Sequence, residues 1–183
     1  MLATEGDRGA PMQRVLVIGQ SGSGKSTVAA ELAQRLHVPH VELDALFHGP
    51  GWVPNPAFPD EVDAATRGPG WVVDGNYPAV RDLLWTRADT VIWLDLPRTT
   101  TLRRTLWRTL RRALTRAELW NGNREQLRAV LRASHPIRWA WATHAAHRGE
   151  YEQRLADPRS SHLVVRRLRT PAEVGAWSAQ LGA

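Results

Sequence analysis

Gly19-Gln20-Ser21-Gly22-Ser23-Gly24-Lys25-Ser26-Thr27 follows the apolar run Val15-Leu16-Val17-Ile18 and leads into Val28, Leu32 and Leu36, spaced four apart. Gly, four residues, Gly, Lys and then Ser or Thr is the spacing of a phosphate-binding loop, with Gly19, Gly24, Lys25 and Ser26 in its fixed places. Glycines let successive backbone N–H groups turn inward as a concave anion nest, because no Cβ opposes positive φ. A helix starting behind the nest adds unpaired N–H groups and the positive end of its dipole. Lys25 is then placed to reach β- and γ-phosphates, and the Ser26 hydroxyl to ligate Mg2+. A short buried strand before the loop and a helical face after it distinguish the stretch from a Gly/Ser-rich linker, which has neither. Gly19, Ser21, Gly22, Ser23, Gly24, Lys25, Ser26 and Thr27 are therefore expected to hold the phosphates of a nucleoside triphosphate.

Composition narrows the classes. Of 24 basic residues only Lys25 is a lysine, so the one flexible ammonium stands where the loop chemistry calls for it; an Arg-rich coding bias is the plain alternative. A chain of 183 residues is one domain with room for a real core. The absence of cysteine excludes disulfides and thiolate metal sites. No apolar stretch approaches the roughly 18 to 20 residues that span a bilayer, and a net charge of +6 favours anionic partners. Residues 1–12 are polar and Gly-rich without a signal-peptide core, which predicts a disordered leader and a cytoplasmic protein.

Along the chain, residues 40–44 read as a second strand ending in Asp44, and the Gly/Pro-rich residues 47–56 as a surface or cleft-lining loop. Residues 57–67 predict a short helix, 71–75 a third strand carrying Asp74, and the stretch to about 87 another helix. Residues 90–96 predict a fourth strand with Asp95 at its end. Over 100–116, Leu102, Leu106, Leu110 and Ala113 share one helical face, with Arg104, Arg108 and Arg111 opposite. Further helices are expected at 125–134 and 136–147, a fifth strand at 161–166 and a closing helix at 171–181. Strands alternating with helices make an α/β chain with a parallel sheet covered on both faces. Ligands collect beyond the C-terminal strand ends of such sheets, which gathers Asp44, Asp74 and Asp95 on the rim of the phosphate loop.

The loop, Asp74-Gly75 after one buried strand and Leu94-Asp95-Leu96-Pro97 after another resemble the adenylate-kinase-like P-loop kinases. Leu43-Asp44-Ala45-Leu46-Phe47, Gly49-Pro50-Gly51-Trp52 and Asp74-Gly75-Asn76-Tyr77 are similar to stretches of bacterial proteins called adenylate kinases or DNA topology modulation proteins, over about residues 13–181. The resemblance implies a three-layer P-loop NTPase fold, with a five-stranded parallel sheet of order 2-3-1-4-5 and a helical lid. Residues 13–183 would form the single domain and about 103–150 the lid region. It implies that Asp74 holds Mg2+ through water. Arg104 and Arg108, seven and eleven residues after Pro97, would face adenine and phosphate respectively. In that group the third strand leads into Asp-Gly-Phe-Pro-Arg, whereas here Pro78 follows Tyr77 and the nearest arginine is Arg81, its loose counterpart as an acceptor-phosphate ligand. The monophosphate-binding helix has no recognisable counterpart, so AMP is not implied as acceptor.

The expectation is a phosphotransferase that moves the γ-phosphoryl group of ATP, with Mg2+, to an unidentified small-molecule acceptor. Catalysis in such an enzyme is mostly positioning and charge stabilisation, assigned here to Lys25 and Arg108. Asp44 is the candidate to orient or deprotonate an acceptor hydroxyl; with a phosphate acceptor it would bind a sugar or base instead. Trp52 and Tyr77 either stack an acceptor ring or serve packing. His135, His144 and His147 are read as lid histidines rather than a metal site, and Trp139 and Trp141 as lid packing. The competing class is a nucleotide-gated NTPase that binds nucleic acid, supported by seven arginines and no acid over residues 98–116. It lacks any nucleic-acid module and is the less favoured. Hydrolysis without transfer is the third reading. No membrane partner is expected, and the chain is read as a monomer or homodimer.

Overall fold

The computed structural model describes residues 12–115, 119–123 and 136–181. The leader over residues 1–11, the helix expected at 125–134 and His135 lie outside the described residues, as do the side chains of Trp139, Trp141 and His144.

The centre of the fold is β1 (Arg14–Gly19), of whose six residues only Arg14 is exposed. It pairs in parallel with β3 (Trp71–Asp74) on one side and β4 (Thr90–Leu94) on the other. β2 (His40–Glu42) joins β3, and β5 (Val164–Leu168) joins β4, which gives the expected order β2-β3-β1-β4-β5. A parallel strand covered on both faces needs apolar residues at every position, and every residue of β3 and β4 is buried.

Alternate residues of each strand feed two cores, because side chains of a strand point to opposite faces. Val15, Val17, Val72, Ile92 and Leu94 pack with α1 (Lys25–Leu36) and Trp177 of α7 (Pro171–Gln180). Leu16, Ile18, Val73, Val91 and Trp93 pack with α2 (Leu43–Phe47), α3 (Phe58–Ala65) and α4 (Pro78–Arg87), and with Tyr151 of α6 (Pro136–Ala156). The result is three layers. No helix among the described residues is long and apolar enough to cross a membrane.

Three local expectations are corrected. β2 stops at Glu42, and Asp44 lies in the first turn of α2 rather than at a strand end. The turn is tight: a Cβ on Gly75, whose φ is +129°, would come within 2.7 Å of the Leu43 Cβ. β5 begins three residues later than its pattern implied, because Leu163 N–H closes a turn onto the Ser160 carbonyl before the strand starts. The last correction concerns α5 (Arg98–Thr115). Its buried stripe is Thr101, Thr105 and Thr109, while Leu106 and Leu110 are 52% and 44% exposed. Close approach to a glycine loop favours small side chains over leucines, and the threonines recur every fourth residue as well.

Asp95 lies at the end of β4 as expected, but its carboxylate is taken up by arginines. Just past β4, its carboxylate accepts from Arg167 Nε at 2.9 Å and Nη2 at 2.7 Å, with Arg148 Nη2 at 3.2 Å. The Arg167 guanidinium also lies 3.9 Å from the Trp93 ring centroid. Asp95 therefore fastens β5 and α6 to the end of β4, which explains Arg167 in an edge strand. Asp95→Ala, which leaves Arg167 with Glu152 as its carboxylate partner, is expected to lower stability by about 2 kcal/mol, the scale of lost hydrogen bonds to a charged group, in urea unfolding, with no change in nucleotide affinity.

Candidate functional site

The phosphate loop lies where β1 ends and α1 begins, and glycine geometry shapes it. Gly22 and Gly24 have φ of +79° and +96°, conformations that a Cβ opposes. A Cβ on Gly22 would also collide with Thr105 Oγ1 and the Thr101 carbonyl, so the loop rests directly on α5. One on Gly19 would come within 2.6 Å of the Leu94 carbonyl oxygen. Lys25 Nζ donates to the Gln20 carbonyl at 3.0 Å, which folds the ammonium back across the loop. Arg104 Nη1 donates to the Ser23 carbonyl at 3.4 Å and Arg108 Nη2 to Ser21 Oγ at 2.9 Å. Three cations thus meet one concave stretch of backbone, which suits a polyanion. The buried Ser23 hydroxyl has no hydrogen-bond partner among the described residues, a further fit to an oxygen-rich ligand.

Two carboxylates face this loop. Asp74, 3% exposed at the end of β3, lies 3.2 Å from His40 Nε2, and that hydrogen bond is the main reason the His40 pKa is raised. Asp44 accepts the Tyr77 hydroxyl at 2.6 Å. Burial first, and then the Asp44 charge, push the Tyr77 phenol well above its ordinary pKa, so it stays a donor. Lys25 feels the opposite balance: burial lowers its pKa, the Asp74 and Asp44 charges raise it, and Arg108 lowers it. Both acids and Arg108 therefore act on the ammonium.

Among the described residues no three His, Cys, Asp or Glu side chains form a metal-holding cluster. Ser26 and Asp74 both line the cleft, a hard-oxygen pair that fits a cation completing its shell with phosphate and water oxygens, as Mg2+ does.

The loop opens into a cleft of about 750 Å³. It is lined by residues of the Gly19–Thr27 loop and Arg108, and by Glu42, Asp44, Phe47, His48, Asn76, Tyr77 and Trp120, with Arg112 beside Trp120. Of the expected acceptor residues, the structure brings Asp44 and Tyr77 together in this cleft. Arg81 is turned aside: it pairs with Glu150 and donates to Asn76 Oδ1 at 3.1 Å. Trp52 is 39% exposed and stands behind the wall, edge-on to His48 at 5.2 Å between centroids. Arg104 reaches the loop from outside the cleft lining, and Arg111 is exposed. His147 lines the cleft near Tyr151, at 6.5 Å between centroids.

Sequence reasoning missed His40, His48, Trp120 and Tyr151. His40 had a usable signal, since in a parallel pair it sits beside β3 close to Asp74. Trp120 had none, because a three-residue 3-10 turn (Trp120–Gly122) outside the sheet brings it back to the cleft.

No curated protein matches the chain. Among solved structures it is similar to a gluconokinase from Sinorhizobium meliloti, at 20% identity over 93% of each chain with a TM-score of 0.47. It is also similar to a sugar kinase from Janibacter sp., at 19% identity over 93% of this chain and 90% of that one, TM-score 0.45. A family model described as AAA domain matches residues 15–157, a span that holds β1 from Val15 onward, the phosphate loop, Asp44, Asp74 and both loop-facing arginines. With well over half of its 183 residues inside that match, the chain belongs to the AAA domain family.

Proposed function

We propose that the chain is a phosphotransferase that binds ATP and Mg2+ and moves the γ-phosphoryl group to a small-molecule acceptor. The observation that carries this reading is the continuity of the cleft. It runs from the phosphate loop to the Asp44–Tyr77 pair and is far larger than a water nucleophile needs. The adenylate-kinase-like resemblance belongs to the nucleotide half of this reading, and Arg81, bound to Glu150, argues against a nucleoside monophosphate in the other half.

In this mechanism the loop N–H groups and Lys25 hold the β- and γ-phosphates, Ser26 and Asp74 would hold Mg2+, and Arg108 stabilises charge on the transferring group. A bound Mg2+ would offset charge on the phosphate oxygens. Asp44, held by the Tyr77 hydroxyl, orients the acceptor and takes its proton. α5 and the 119–123 turn serve as parts of the lid. The nucleic-acid reading needs an outward arginine stripe, and Arg104 and Arg108 instead bond to the loop.

Transfer and hydrolysis are separated by product balance. Incubation with Mg-ATP and a mixture of nucleosides, nucleotides, sugars and polyols is expected to yield ADP in clear excess over inorganic phosphate. Equal amounts of both products would mark a simple NTPase. With an active acceptor, Asp44→Asn is expected to cut turnover roughly 10²-fold, the scale of general-base catalysis, while the KM for ATP holds. Arg108→Ala is expected to lower kcat by about 10²-fold through lost charge stabilisation, seen as slower ADP formation at saturating ATP.

A further inference from the structure

Resting on the phosphotransferase reading, we propose that the acceptor is an uncharged ring compound carrying hydroxyl groups, bound between the Asp44–Tyr77 pair and the Trp120 ring.

The acceptor side of the cleft carries two carboxylates, Glu42 and Asp44, against one cation, Arg112, whose guanidinium lies 5.9 Å from the Trp120 centroid. Lys25 and Arg108 belong to the phosphate loop and its edge. An anionic acceptor would meet two like charges for one opposite charge, a balance that selects for neutral or cationic partners. Arg81 is neutralised by Glu150. Asp44 takes the Tyr77 hydroxyl on one oxygen, and a carboxylate keeps accepting capacity for further donors such as an acceptor hydroxyl.

The wall that continues from this pair is aromatic and built. His48 and Trp120 lie 6.0 Å apart at an interplanar angle of 24°, and the Tyr77 hydroxyl is 3.4 Å from His48 Nε2. Trp120 is held there by its neighbours. Asn121 Nδ2 donates to the Ala45 and His48 carbonyls at 3.2 and 2.6 Å, and Asn123 Nδ2 to the Gly49 carbonyl at 2.9 Å. In return the backbone N–H of Trp52 donates to Asn123 Oδ1 at 2.9 Å. This clasp ties the turn between α5 and α6 to the acceptor side, so the Trp120 ring belongs to the acceptor pocket. Aromatic faces beside a few directed polar groups suit a ring with an apolar face and hydroxyl edges. A nucleoside and a neutral glycoside or cyclic polyol share that chemistry.

In the transfer step the acceptor oxygen attacks the γ-phosphorus and a new P–O bond forms. The bond from that phosphorus to the β,γ-bridging oxygen breaks, its electron pair leaving on ADP. The hydroxyl proton passes to Asp44 and from there to solvent.

The test measures ADP release by the full chain with Mg-ATP and three acceptor sets: nucleosides, neutral glycosides and cyclic polyols, and matched anions (nucleoside monophosphates and sugar acids). At least one neutral set is expected to accelerate release, and which set does so separates nucleoside from sugar. Acceleration by the anions alone would overturn the acceptor class and leave the phosphotransferase standing. No acceleration by any set would overturn both. With the active acceptor, Trp120→Ala is expected to raise acceptor KM about tenfold, the scale of a lost aromatic contact, and more than it raises ATP KM. Asn121→Gly, which fits the φ of +55° at that position while removing the clasp, is expected to shift acceptor KM the same way. An unchanged acceptor KM in both variants would overturn the assigned pocket.

Discussion

The contact between Gly22 and α5 sets the geometry of everything around the phosphate loop. Because no side chain fits between the loop and the Thr101–Thr105 turn, the helix can approach only with a face of small residues. That requirement fixes the rotation of α5: Thr101, Thr105 and Thr109 turn inward and the leucines outward. Arg104 and Arg108, three residues beyond the first two threonines, then come to the edge of the loop. The loop is thus shaped by its own glycines and armed by a helix that those glycines allow to come close.

The electrostatics follow from that arrangement. Lys25 and Arg108 line the cleft at the loop, Glu42 and Asp44 line it from β2 and α2, and Arg112 lies beside Trp120. Lys25 is the point where these charges meet, since burial disfavours its charge and Asp74 and Asp44 favour it.

The nucleotide half of the molecule was legible because local rules decide it. An apolar run, a glycine loop and a helical face are contiguous in sequence; strands that alternate with helices imply a parallel sheet, and the family resemblance implied its order. The acceptor half was not. Asp44 reads as a strand end until Leu43 starts a helix, and Arg81 reads as a ligand until Glu150, far away in sequence, claims it. Residues 101–110 carry two series at fourfold spacing, leucines and threonines, and hydrophobicity favours the wrong one as the buried face. Only the neighbouring glycine loop, a tertiary fact, selects the threonines. Trp120 reaches the cleft through a turn with no periodic signal, held by asparagine side chains that composition alone would assign to a surface loop.

The account depends most directly on the loop as a phosphate cradle with Lys25 as its cation. Calorimetric titration of Mg-ATP into the wild-type chain and Lys25→Ala tests this. Saturable one-site binding is predicted for the wild type, and an affinity at least about tenfold weaker in the variant, the scale of one charge-assisted hydrogen bond. Equal affinities in two folded proteins would contradict it.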